Sequence, residues 1–232
     1  MDWWIEFAKG PLFTITFLIM MVGLLRHVFI QVYYLFIAKG ARLKNVAWKS
    51  IFSDMATWVV PVGHMISGTV FFSVISFILH IGIIILSVLL VDHIVLWEGL
   101  TGLDLPSVGR ELADWLTLLS IACTFGLLLC RIFLLRLRAM SRVSDYVILL
   151  MLLMVFVFGY MAGHPAINPF SWNFAMLLHL LSAEALFVIV PFTKLAHIVL
   201  YFFDRLSPIH WQLNPGAGAK VADALFGKEA RV

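Results

Sequence analysis

Long apolar runs separated by short polar or basic stretches set the pattern of this chain. Five such runs stand out, at about Pro11 to Ile37, Thr69 to Trp97, Trp115 to Leu135, Tyr146 to Gly163 and Phe174 to Phe203. The second has an apolar approach from Ala56, and residues 45–68 mix Trp, Pro and Gly in the manner of an interfacial segment. About 20 apolar residues cross a hydrocarbon core of about 30 Å as a helix. Lipid offers backbone groups no hydrogen bonds, so each run must satisfy its own, as a helix does. A closed barrel would show alternating segments of about ten residues, and these runs are far longer. The pattern predicts an all-α polytopic membrane protein, a bundle of five transmembrane helices. No internal repeat or soluble domain interrupts it. The expected division is one membrane domain, residues 1–206, followed by a tail, residues 207–232, with a short helix at Ala219 to Phe226.

Composition agrees, with 62% hydrophobic and 12% charged residues, where soluble domains carry about 25% charged. No cleavable signal peptide is evident, and Trp3 and Trp4 fit an interfacial belt. The two cysteines, Cys123 and Cys130, lie seven residues apart in one run. On a helix that is about 10 Å, too far for a disulfide. Two thiols also fall short of the four that an iron–sulfur cluster takes.

Charge sets the expected orientation. Lys39, Arg42, Lys44 and Lys49 follow the first span, Arg131, Arg136, Arg138 and Arg142 the third, and Arg205, Lys220, Lys228 and Arg231 the fifth. The loop between spans two and three has Arg110 among Glu98, Asp104, Glu111 and Asp114, and the loop between spans four and five has no Lys or Arg. Basic loops stay in the cytoplasm, so the N-terminus is expected outside and the C-terminus inside.

Five histidines lie within these runs, His27 in the first and the other four in the second and fifth. His179 and His197 are eighteen residues apart, five turns of an unbroken helix and roughly 27 Å along its axis. Span two carries His80 toward the inner side and His93 toward the outer. With antiparallel spans the depths match in pairs, His80 with His197 and His93 with His179. Facing imidazoles at equal depth are what axial ligation of a b-type haem requires. Zinc would instead gather its ligands in one coordination sphere. One feature conflicts: thirteen residues separate His80 from His93, a rotation of roughly 220°. A bend or helix crossing must make up the difference, or one of the four is not a ligand.

The string LHLLSAEALFVIVPFTKLAHIVLYFF, with FILHIGIIILS and VGLLRHVF, resembles helices of the respiratory nitrate reductase gamma-subunit family. DHIVLWEGL, ADWLTLL and IVLYFFDRL resemble the branch found in heterodisulfide reductase and in transmembrane complexes of sulfate reducers. The likeness covers roughly residues 11 to 206. It implies a haem-binding five-helix bundle in a prokaryotic inner membrane, with two b haems held by His80, His93, His179 and His197. The longer interval from His80 to His93 departs from the nitrate reductase pattern. It further implies electron transfer between a quinone, menaquinone being the expected type, and a cytoplasmic iron–sulfur subunit. A periplasmic multihaem cytochrome c and other membrane subunits are further expected partners, and nucleic acid is not one.

Around the histidines, Arg26 and Lys194 are candidates for haem propionates, and His27 for a hydrogen-bonded structural residue. Glu98 is the first choice for a proton acceptor at an outer quinone site, with Arg110, Asp114, Tyr160 and His164 beside it. His64 is a candidate for a docking or quinone contact. No residue is assigned a catalytic role, so outside a quinone site the chain is not an enzyme by itself. Two other readings stand: a proton-coupled transporter with a histidine relay, and a non-redox membrane anchor.

Overall fold

The computed structural model describes residues 1–37, 48–49, 52–53 and 70–203. His64, the tail 207–232 and most of the basic segment after the first span lie outside the described residues. Regular structure within them is helical: α1 (Asp2–Phe7), α2 (Phe13–Ile37), α3 (Val70–Leu89), α4 (Val91–Thr101) and α5 (Arg110–Phe133) come first. A short α6 (Leu135–Met140), α7 (Val143–Gly163) and α8 (Trp172–Ile189) follow. The chain continues through a 3-10 turn, Val190–Phe192, into α9, Lys194–Phe203, whose first turn is also 3-10.

Five helical stretches are long and apolar enough to cross a membrane: Asp2–Tyr33, Val70–Leu89, Arg110–Phe133, Val143–Gly163 and Trp172–Phe192. The five expected runs are therefore helices. The first begins earlier than the apolar run, because α1 joins α2 through a π-helical turn, Ala8–Leu12. Pro11 sits in that turn, where its missing N–H makes a regular i→i−4 ladder impossible.

Two of the five runs are broken. The second ends as α3 at Leu89, Leu90 is extended (φ −71°, ψ 133°), and α4 starts anew at Val91. The fifth breaks after Ile189, with Pro191 in the 3-10 turn and Thr193 extended (φ −127°, ψ −175°). His179 and His197 thus stand on separate helices, and the expectation of five unbroken turns between them is corrected. Pro191 lacks the N–H that would continue the ladder. Thr193 then caps the new start, its Oγ1 accepting from Leu195 N at 3.3 Å and donating to Ile189 O at 2.9 Å.

The described residues fall into two compact units, one within Met1–Leu18 and Val62–Val188, the other within Ile19–Pro61 and Ile189–Val232. In the first, Leu79 and Leu86 of α3, Ala113, Cys123 and Leu127 of α5, and Leu149 and Phe156 of α7 form the core. Gly82 lets α3 approach α5, since a Cβ there would collide with Ser120 Oγ. Ile5 and Ala8 pack on Leu180 of α8. Large apolar side chains such as Phe71, Ile84 and Leu135 remain more than 60% exposed, a surface suited to lipid. In the second unit, the Pro191 ring fills the space a Cβ at Gly23 would need. His27 Nε2 donates to Pro191 O at 2.8 Å, the structural role expected of it.

Candidate functional site

The break at Leu90 builds the site. A helix end leaves its last carbonyls without intrahelical partners, and α4 supplies substitutes. His93 Nδ1 donates to Leu86 O at 2.8 Å and Trp97 Nε1 to Ser87 O at 2.9 Å. The loop after α4 returns Val108 N to Leu89 O at 3.0 Å. Trp97 is further seated against Phe13 and Phe17, with ring centres 5.9 and 5.4 Å away. Of the ways to reconcile the thirteen-residue interval, a bend is present, and it turns His93 away from the course an unbroken helix would give it.

His93 meets His179. Their ring centres lie 6.1 Å apart and their planes within 3° of parallel. On α8, His179 Nδ1 donates to Val155 O of α7 at 2.8 Å. Gly159 of α7 makes the approach possible, because a Cβ there would lie 2.8 Å from His179 Nδ1 and 2.9 Å from Cε1. A carbonyl can only accept, so each Nδ1 carries the proton and each Nε2 keeps its lone pair. Such an outer-sphere bond also makes Nε2 a better ligand.

Simple arithmetic tests what would fit between them. Two imidazoles bonded to one metal at about 2.0 Å, with ring centres about 1.1 Å behind the nitrogens, have centres about 6.2 Å apart. The observed separation of ring centres, 6.1 Å, is of the same size. Among the described residues no three His, Cys, Asp or Glu side chains converge as a metal site. A lone pair of imidazoles suits a metal that brings its own equatorial ligands, as in a porphyrin.

The other expected residues are placed as follows. His80 is on α3, its Nδ1 bonded to Ser76 O at 2.7 Å, and belongs to the first unit. His197 is on α9, its Nδ1 bonded to Lys194 O at 2.8 Å, and belongs to the second. Arg26 on α2 and Lys194 on α9 are exposed, as is Glu98 on α4.

The remaining quinone-site candidates come together where α5 begins and α7 ends. His164 Nε2 lies 3.2 Å from Asp114 Oδ2, and its Nδ1 bonds Tyr160 O at 2.9 Å. The Tyr160 ring covers the imidazole, centres 4.1 Å apart. Arg110 donates to Gly163 O at 2.7 Å and ties the two helix ends.

No family model and no solved structure matches the chain. A protein of Nitratidesulfovibrio vulgaris (strain Hildenborough) is 31% identical over 210 residues, covering 86% of this chain and 89% of the relative. This chain belongs to that protein's family. The relative's name, simply "Protein", states no activity.

Glu184 was missed by the reading of motifs. It lies on α8 five residues beyond His179, is 3% exposed, and neither carboxyl oxygen has a hydrogen-bond partner among the described residues. Its signal was available: an acidic residue inside an apolar span marks a candidate functional position by its cost alone.

Proposed function

We propose that this chain is the di-haem b membrane subunit of a respiratory oxidoreductase, carrying electrons between a quinone, menaquinone by preference, and a cytoplasmic iron–sulfur subunit. The observation that carries the reading is the His93–His179 pair, parallel and 6.1 Å apart, with both Nδ1 atoms held by main-chain carbonyls. His93 and His179 would hold the outer haem, and His80 and His197 the inner one. Haem b supplies one-electron carriage at a potential set by its ligands and surroundings.

This chain's own residues do the rest. Leu86 O and Val155 O orient the His93 and His179 rings and would raise the basicity of the Nε2 atoms that would hold the haem. Arg26 and Lys194 offer positive charge to propionates. Glu98 and the cluster around His164 face the loops expected outside, where quinol oxidation would release its protons. The proposed setting is a prokaryotic inner membrane, with the N-terminus outside and a periplasmic multihaem cytochrome c and further membrane subunits as partners.

The test is a reduced-minus-oxidised spectrum with a pyridine haemochrome count, in wild type and His93→Ala. Two haems falling to one is the expected result. One haem in both would make His93 a bystander. A colourless protein would end the reading and favour the histidine-relay transporter or the anchor.

A further inference from the structure

We infer that the His164–Asp114 pair, rather than Glu98, is the proton acceptor for quinol oxidation at the end of the bundle where α5 begins and α7 ends. This rests on the haem reading above and deepens it.

Three features converge. The first is the bonding of the imidazole. Nδ1 faces a carbonyl, Tyr160 O, and Nε2 faces a carboxylate, Asp114 Oδ2. Nδ1–H is fixed by the carbonyl, so a bare Nε2 would set lone pair against lone pair. One more proton, held between Nε2 and Oδ2, satisfies the contact. The pair is built to hold and hand on a single proton. The second is access: the side chains are 25% and 34% exposed, so the proton has a way to water. The third is proximity to the histidine pair. His164 follows Gly159 by five residues, roughly 7.5 Å along the helix axis, and Gly159 is the residue against which His179 rests. A donor bound there could deliver its electron toward His179 and its proton to His164 over short distances.

Glu98 has a weaker claim. It is exposed on α4, and among the described residues its carboxylate is not joined to a second proton-holding side chain as His164 is to Asp114.

The balance is complete. Each quinol loses two O–H protons and two electrons and leaves as quinone. In each step the pair first gives the proton it holds to the adjoining water and then takes one from the quinol, so Nε2 and Oδ2 end the step as they began it. The two electrons would go one at a time to a haem that His93 and His179 would hold, which would have to pass the first on before taking the second. The groups facing the imidazole are Asp114 of α5 and Tyr160 of α7, with Arg110 engaged on Gly163 O beside them.

The experiment compares wild type, His164→Gln, Asp114→Asn and Asp114→Glu as purified full chain, after haem has been counted in each. A short-chain naphthoquinol is the reductant. Haem content and dithionite-reduced spectra should be unchanged. Quinol-driven reduction and proton release to a pH dye should fall about 100-fold or more in His164→Gln and Asp114→Asn, the scale of general acid–base catalysis. Asp114→Glu should recover much of the rate. Nitrogen NMR of labelled His164 reads the pair without electron transfer: Nε2 should carry the shared proton in wild type and lose it in Asp114→Asn. Unchanged rates with haem present would overturn this proposal alone, leaving the pair a tie between α5 and α7. A bare Nε2 in wild type would overturn it as well. Wild type without haem would overturn the parent reading and this one together. Should one variant fail to fold, the other still decides.

Discussion

At the scale of the residue, Gly159 and His179 show how one absent methyl group places a ring. The imidazole lies against the α7 backbone and donates to Val155 O, two contacts that a larger residue at 159 would deny it. Gly159→Ala puts a Cβ 2.8 Å from Nδ1, and the ring, fixed by its carbonyl, must give way. The expected outcome is loss of the outer haem, with destabilisation of about 1–3 kcal/mol, read by the haemochrome count and the melting temperature. Gly163→Ala, with nothing within 4 Å of the added carbon, is the control and should change neither. An unaltered haem count in Gly159→Ala would show that the ring does not depend on this approach.

Among the elements, the two helix breaks matter most, and each is secured by side chains that take the place of lost backbone bonds. At Leu90 the substitutes are His93 and Trp97, so the same hydrogen bond that closes the break also sets the tautomer of a candidate ligand. At Thr193 the substitute is the Thr193 hydroxyl, bonded to Leu195 N and Ile189 O. Thr193→Val keeps the shape and removes both bonds. It should cost about 1–2 kcal/mol, the scale of a lost helix cap, and lower the melting temperature. If the break also aims His197, haem content should fall by one equivalent. A variant as stable as wild type would show that Pro191 alone maintains the break.

For the whole molecule, charge and lipid decide the arrangement. Arg131, Arg136, Arg138 and Arg142 cluster about α6, at one end of α5 and α7, while the loop between α4 and α5 is short of positive charge. Arg131 is itself engaged, 3.8 Å from Asp145 and bonded to Ser141 Oγ at 2.8 Å, so the basic end is also a packed one. Single cysteines at Leu103 and at Leu135, both exposed, should be labelled by an impermeant maleimide from opposite sides of the membrane, Leu103 from outside. The native Cys123 and Cys130 are buried and should stay unlabelled. Labelling of both sites from one side would refute the expected orientation.

The apolar pattern determined by itself that the described residues hold five helices long and apolar enough to cross a membrane, because lipid leaves the backbone of a long apolar run no other way to bond. The histidine spacing singled out His80, His93, His179 and His197 together, of which His93 and His179 do meet, and the rotation between His80 and His93 called for a bend or a helix crossing, or for one fewer ligand. Where the chain bends was beyond it. No Pro or Gly stands at Leu90, and the break holds only because His93, Trp97 and Val108 reach carbonyls that local sequence cannot connect to them. Pro191 did announce the second break, but an even hydrophobic run concealed it, since apolar periodicity reports burial in lipid and not continuity of the helix. The pairing of His164 with Asp114, fifty residues away, was equally hidden. Tertiary packing decided these contacts, because they depend on which helix ends meet, and that follows from side-chain fit between spans.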